Sequence, residues 1–369
     1  MKYFLFSFLL LLIVLLVVIK KKSIKTYALI VIMLLSTIAF NFKPTEVYDL
    51  YRHYSVLEMC RLYGFEYIIN HKDYIALPVA AMYMYIISLL KQNGFLPAIT
   101  SFIFYYCIIK TIDKMIKSEA TIQKKAVVIT LISFFFMFNY IGLISGIRNY
   151  LCFGIFFYFL YVDLIEEKNR KICFAIYFLL GLFHPSIWIL TLLRLIVSCV
   201  KSETLRKIIC FFLLIWSYLK YFIIMILSKF TNIPLIQLIV KKMLNYDSIE
   251  SNLVANVPLY TFVYLTRNII FLLIFLCYIH QYPEKKNKKY IVYLTYTITF
   301  VFGSLKEYHF FVRMSEFLLL LMIPIMITFF SGSFDTKGNN KKFLLQIAII
   351  IESILFLIFF FIGQYSILI

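Results

Sequence analysis

Long apolar runs alternate with short polar turns along the whole chain. Runs rich in Leu, Ile and Phe occupy about 3–19, 26–42, 96–112, 125–142, 146–163, 171–184, 186–200, 208–229, 259–281, 290–304, 312–331 and 343–363. None has the strict two-residue alternation of an outer-membrane barrel strand, so each predicts a helix. A helix that crosses a bilayer perpendicularly needs about 20 residues. The pattern therefore predicts an all-α polytopic membrane protein, a single transmembrane domain over 1–369 with roughly twelve spans. The runs at 171–184 and 290–304 are short. Helices of that length leave dips in the outer surface, which protein or water must line, because lipid cannot satisfy backbone groups.

The polar turns orient these spans. Residues 3–19 are followed by Lys20, Lys21, Lys22 and Lys25 without a small-residue cleavage site, which predicts an uncleaved helix whose lysine-rich end is cytoplasmic. The first long polar stretch, 43–73, then lies outside. Residues 74–91 are apolar but interrupted by Pro78. If they crossed, the turn carrying Lys110, Lys114, Lys117, Lys124 and Lys125 would be external. A re-entrant or interfacial helix at 74–91 instead puts that turn inside, together with the basic turns at 168–171, 201–207, 285–289 and 337–342. We expect this arrangement: both termini outside, 43–95 as an outer loop with a re-entrant or interfacial segment, and a second outer loop at 230–258.

Composition sharpens the class. The chain is 63% hydrophobic, well above the share a soluble domain carries, and its net charge of +19 comes largely from lysines in the short turns. That placement serves orientation, so nucleic acid is not an expected partner. Six of the seven cysteines lie in apolar runs and Cys60 in a polar stretch, without metal-ligand spacing. No metal site, disulfide framework or cofactor is expected.

Candidate chemistry gathers on the outer side. Phe138 to Leu190 reads as a helical hairpin with its turn in the polar patch Asp163–Lys171, headed by Arg148 and tailed by His184. From Arg148 to the turn is roughly 22 Å and from the turn back to His184 roughly 20 Å, at 1.5 Å per residue. The two residues thus return to the same depth. Arg148 alone also reads as an interfacial arginine whose head reaches the headgroups, and His184 as a hydrogen-bonded helix-end residue. Together, a planar donor fork suited to phosphate and an imidazole titrating near neutrality suggest a site. Asn149 adjoins Arg148. Asp49, Arg52 and His53 interleave with Tyr48, Tyr51 and Tyr54, whose ring faces suit a sugar. Arg267 sits about eight residues inside its run, where a cation is costly; it could pair with a carbonyl or an acid of another helix, but a functional role is the favoured reading. Glu307 and His309 precede Arg313, which follows His309 by one turn. Asp163, Arg194 and Glu352 read as packing residues.

These residues carry a resemblance. DLYRHY around Asp49, SGIRNYLCFGIFFYFL around Arg148, GLFHPSIWIL around His184 and FFVRMSEFLLLLMIP around Arg313 resemble, in order and spacing, the EpsG-type membrane proteins of exopolysaccharide assembly, relatives of the Wzy-type O-antigen and capsule polymerases. Asn149 stands where that family usually has Gln, and Val47-Tyr48 where it usually has Gly. The resemblance implies a GT-C-like bundle in the bacterial cytoplasmic membrane. It implies a glycosyltransferase that joins undecaprenyl-pyrophosphate-linked oligosaccharide repeat units at the outer face, alongside the flippase and chain-length regulator of the same pathway. It further implies catalytic roles for His184, Asp49 and Arg148, and substrate contacts from Arg313, Arg267, Arg52, His53, Asn149, His309 and Glu307. A flippase for the same lipid-linked sugars, a membrane acyltransferase and a membrane scaffold are the competing classes.

Overall fold

The computed structural model describes residues 24–46, 48–230, 232–245, 258–285, 288–332 and 340–367. The expected first span at 3–19 lies outside these residues, as do 246–257 of the second outer loop and 337–339 of the last basic turn. Among the described residues all regular structure is helical. The helices are α1 (Ile24–Phe40), α2 (Asp49–Asn70), α3 (Pro78–Ser88), α4 (Phe95–Ser118), α5 (Lys124–Met137), α6 (Tyr140–Ser145), α7 (Ile147–Leu164) and α8 (Arg170–Gly181). They continue as α9 (Ser186–Cys199), α10 (Glu203–Leu214), α11 (Trp216–Leu227), α12 (Pro234–Asn245), α13 (Pro258–Gln281), α14 (Lys289–Gly303), α15 (Tyr308–Ser331) and α16 (Asn340–Ile367). Among the described residues four helices, in α4, α7, α13 and α15, are long and apolar enough to cross a membrane, or five if the bent pair α10–α11 is one span.

The centre of the bundle is α15. From Phe317 to Ile327 it is apolar and buried on every side: Phe317 through Ile323 have no accessible surface. A helix without a polar face can only be a core helix or a lipid-immersed one, and here α5, α7, α13, α14 and α16 surround it. On one flank α1 packs on α4 and α4 on α7; on the other, α9 and α10 pack on α14. The outer faces of α10 and α11 expose Phe211, Phe212, Tyr221 and Phe222. Apolar surface of that extent needs lipid or a partner to cover it.

The expected second outer loop at 230–258 holds the helix α12 (Pro234–Asn245). Two more stretches differ from the sequence expectation. The stretch expected as a polar loop at 43–73 is mostly the helix α2. Leu50, His53, Val56, Leu57 and Cys60 repeat every three to four residues and are buried, an amphipathic helix half hidden by its charges. At Gly64 the backbone departs from the helix with φ 71° and ψ −161°, a region essentially restricted to glycine. The second difference is at 208–229. There α10 and α11 meet at 86°. The α10 carbonyl of Leu213 comes up against Gly303, so close that no side chain fits there. Past the bend, Ser217 Oγ donates to the Gly303 carbonyl (2.6 Å) and Trp216 packs edge-on against Phe300 (5.0 Å). Turning α11 also carries Lys220 inward to Glu307.

Contacts sort the helix ends into two groups. At one end Lys114 bonds Glu166 (2.8 Å), Lys289 bonds Glu167 (2.9 Å) and the Gln123 amide donates to Ser331 Oγ (3.1 Å). The basic turns at 110–125, 168–171 and 285–289 therefore share one end. At the other, the last residue of α1 meets the first of α4: the Phe40 and Phe95 rings lie 5.0 Å apart. The chain between them, α2 and α3 included, leaves and returns at the same end of the bundle. Pro78 opens α3 rather than breaking a longer helix. At 11 residues, α3 is about 16 Å long, half the hydrocarbon thickness.

Candidate functional site

The hairpin α7–α8 is held at its basic end by a buried ion pair. Asp163 accepts from Arg194 Nε (2.5 Å) and Nη2 (2.9 Å) of α9, and from Tyr177 of α8 (3.3 Å). Asp163 and Arg194 are thus packing residues. With that end pinned, Asn149 and His184 meet at the far end. The chain turns between α8 and α9 through His184-Pro185-Ser186. Ser186 Oγ lies 2.8 Å from His184 Nδ1 and donates to Asn149 Oδ1 at 3.0 Å. The Ser186 backbone amide also donates to Nδ1 (3.3 Å), so the ring is held at Nδ1 by its neighbour two residues on. Asn149 is 4% exposed and its Nδ2 has no partner. Sequence reasoning missed Ser186. Its one signal is position: a serine at the first residue of a helix and two after a histidine, the local geometry in which a hydroxyl reaches a neighbouring side chain.

His184 and Ser186 form one wall of a cavity of about 270 Å³. Glu307, Phe310 and Arg313, from the start of α15, form another, and the remaining lining is apolar, from Leu192 and Ile196 of α9 to Trp216 and Ile223 of α10–α11. Glu307 is buried and paired with buried Lys220 (3.4 Å). Lys220 thus joins the site more directly than its place inside an apolar run suggests. The imidazole of His309 feels the charges of both Arg313 and Asp49, which links α15 to the start of α2.

Arg148 turns the other way. Its Nη1 donates to the Asp73 carbonyl (3.3 Å) and its guanidinium stacks 4.9 Å above the Tyr74 ring. Beneath Tyr74 lies His53, 3% exposed, whose Nδ1 is hydrogen-bonded to the Tyr74 hydroxyl (2.9 Å). Burial pushes the Tyr74 phenol up to about 12, so it stays protonated. His53 is therefore a support for Tyr74 rather than a surface group. Asp49 and Arg52 form a surface ion pair one turn apart (3.2 Å), each about half exposed. Such a pair contributes at most about 1 kcal/mol to stability.

Arg267 stands apart from these residues. It is fully buried between α13, α5 and α15, donates to the Met137 carbonyl (2.9 Å) and to Glu316 (3.2 Å), and stacks on Tyr264 (4.6 Å). The apolar-run cation thus takes its structural alternative, a carbonyl and an acid from other helices, and does not line the cavity. Among the described residues no three His, Cys, Asp or Glu side chains gather as a metal site.

The structure thus brings together His184, Asn149, Glu307 and Arg313, sets Arg148 on the neighbouring Tyr74 platform near Asp49, Arg52 and His309, and separates Arg267. A cation, an oriented imidazole and a buried acid–lysine pair beside an apolar chamber can hold an anionic head and an apolar tail while a proton is taken up. No family model matches the chain, and neither the curated proteins nor the solved structures searched include a match.

Proposed function

We propose that the chain is a membrane glycosyltransferase that joins undecaprenyl-pyrophosphate-linked oligosaccharide repeat units into a bacterial surface polysaccharide. In this reading it spans the cytoplasmic membrane about twelve times as a GT-C-like bundle, with α3 as its re-entrant or interfacial helix and the site facing outward. The observation that carries the reading is the cavity in which His184 and Arg313 meet an apolar wall. A lipid-linked pyrophosphate sugar needs that combination: cations for the head, an apolar flank for the isoprenoid, and a base for the acceptor.

The chemistry follows from the residues. The acceptor hydroxyl gives its proton to the His184 imidazole as its oxygen attacks the anomeric carbon of the donor. The bond from that carbon to the pyrophosphate oxygen breaks, and undecaprenyl pyrophosphate leaves with the electron pair. Arg313, in the cavity, neutralises the charge that develops on it. Arg148, on the Tyr74 platform beside the cavity, holds the carrier's pyrophosphate from that side, the planar fork of a guanidinium matching a phosphate edge. Asp49, held in its pair with Arg52, is less suited to the base role than an imidazole oriented through Ser186. The flippase and chain-length regulator of the pathway are the expected protein partners.

The test is made in a strain lacking the native gene. Arg148→Lys keeps the charge and loses the bidentate fork; it is expected to reach normal levels yet polymerise poorly, with Arg148→Ala worse, by about 10²- to 10³-fold for loss of one such contact. Single repeat units should then accumulate on the lipid carrier outside the membrane. Accumulation inside makes the protein a flippase. Transfer of acyl groups with polymer length unchanged makes it an acyltransferase.

A further inference from the structure

On the outward side of α2 a row of rings runs toward Arg148. Tyr63 and Tyr67 have centroids 6.2 Å apart, Tyr67 and His71 5.5 Å, and His71 and Tyr74 5.6 Å, and the Arg148 guanidinium lies on the Tyr74 face. Burial rises along the row: Tyr63 is 63% exposed and Tyr74 1% exposed. Beyond the kink at Gly64, Tyr67 and His71 recur at one-turn spacing and so share a face, and the kink brings the Tyr63 ring beside Tyr67. The same face carries Glu66, Asn70 and Lys72, and with the rings they line an open groove of about 590 Å³. The helix has a separate apolar side. Leu62 and Ile69 are exposed there, and Phe65 packs against Tyr85 of α3 (5.1 Å).

We infer that this ring row is a binding track for an extended oligosaccharide, leading the glycan from solvent to the Arg148–Tyr74 platform. The inference rests on the polymerase reading and adds to it a binding surface remote from the cavity. Three features select a glycan over the bilayer. A sugar ring presents an apolar C–H face to an aromatic ring and hydroxyls at its rim, and this groove offers rings along its floor with a carboxylate, an amide and an ammonium at its edge. A lipid surface has no use for Glu66 or Asn70, and the helix already has its apolar side in Leu62 and Ile69. The row also ends on a residue of the proposed site, with a gradient of burial that a membrane-interface belt does not need. Gly64, at the foot of the row, supplies the turn that re-aims the helix beyond Tyr63.

The probe is the set of short oligosaccharides released by mild acid from the parental strain's own polysaccharide. Binding is measured by saturation-transfer NMR on the full chain in nanodiscs, and polymer length in the deletion strain. Tyr63→Leu with Tyr67→Leu keeps the side chains apolar but removes the flat rings; it is expected to weaken binding about tenfold or more, since a stacked ring contributes up to about 1.5 kcal/mol. In cells that variant should still make the first linkage between repeat units but yield shorter polymer. Tyr63→Phe with Tyr67→Phe should bind and polymerise like the parent. Glu66→Ala with Asn70→Ala leaves the rings in place and should also weaken binding. If both the Leu pair and the Ala pair bind the oligosaccharides and polymerise like the parent, the row only seats α2 on the bilayer and the track is wrong. That failure is distinct from failure of the polymerase reading, which is read from the Arg148→Ala strain by the side of the membrane on which repeat units accumulate.

Discussion

Asn149 on α7 and His184 in the turn that follows α8 share the hydroxyl of Ser186 at 3.0 and 2.8 Å. This chain fixes the position of the imidazole. His184→Ala is expected to lower polymerisation by about 10²- to 10⁴-fold, the usual worth of a general base. Ser186→Ala and Asn149→Leu should cost less and shift the pH dependence of the rate, since they remove the bonds that hold the ring in place. Ser186→Thr should restore the profile. Rates measured in inverted and right-side-out vesicles over a pH series check this. An unchanged pH profile for Ser186→Ala leaves the hydroxyl with a packing role only.

The Arg267–Glu316 pair predicts an opposite pattern. Removing one partner leaves a buried charge uncompensated, so Arg267→Met alone should destabilise the protein by about 3–5 kcal/mol. Arg267→Met with Glu316→Leu should recover most of that loss, because two apolar side chains suit the surrounding Tyr264 and Phe271. Thermal unfolding in detergent gives the stability, and glycan length gives the activity. A double variant that folds like the parent but makes no polymer would return Arg267 to the site.

The lysine asymmetry and the two-ended sorting of contacts make a topological prediction. Lys72 and Ser118 are both exposed and lie at opposite ends of the bundle. In a cysteine-free background, Lys72→Cys should react with an impermeant maleimide added outside intact cells, and Ser118→Cys only after the membrane is opened. Labelling of position 118 from outside reverses the orientation and moves the site to the cytoplasmic face.

His71 reports on the outer platform by its titration. Burial lowers its pKa from the ordinary 6.5, Lys72, Arg148 and Arg52 lower it too, and Asp73 opposes them. Its Nδ1 also accepts from the Asp73 amide (3.2 Å), a bond that protonation removes. The neutral ring is thus the form the fold holds. Its contribution is full above pH 6.5 and is lost as the pH falls below 6.5 toward the folded midpoint. Carbon-13 NMR of labelled histidine should give a midpoint below 6.5. Arg148→Ala should raise that midpoint and Asp73→Asn should lower it; no response to Arg148→Ala means the guanidinium does not sit over Tyr74 in the membrane.

Helix positions were legible in the chain because apolar length and lysine placement are local properties. The runs at 96–112, 146–163, 259–281 and 312–331 stand as α4, α7, α13 and α15, the four helices long and apolar enough to cross. The common depth of Arg148 and His184 was legible too, since a helix advances by a fixed rise per residue. Spacing along a helix gives depth but not azimuth, and there the tertiary structure decided. The guanidinium of Arg148 faces Tyr74, while its neighbour Asn149 faces His184. His53, which shares a polar motif with Asp49 and Arg52, points inward because α2 is an amphipathic helix rather than a loop. Lys220 reaches Glu307 only because α10 and α11 bend where the backbone meets Gly303. Arg267 finds Glu316 on a helix distant in sequence. Each of these pairings depends on which faces of separate helices meet, and side-chain packing across the whole bundle sets that, with no local pattern to announce it.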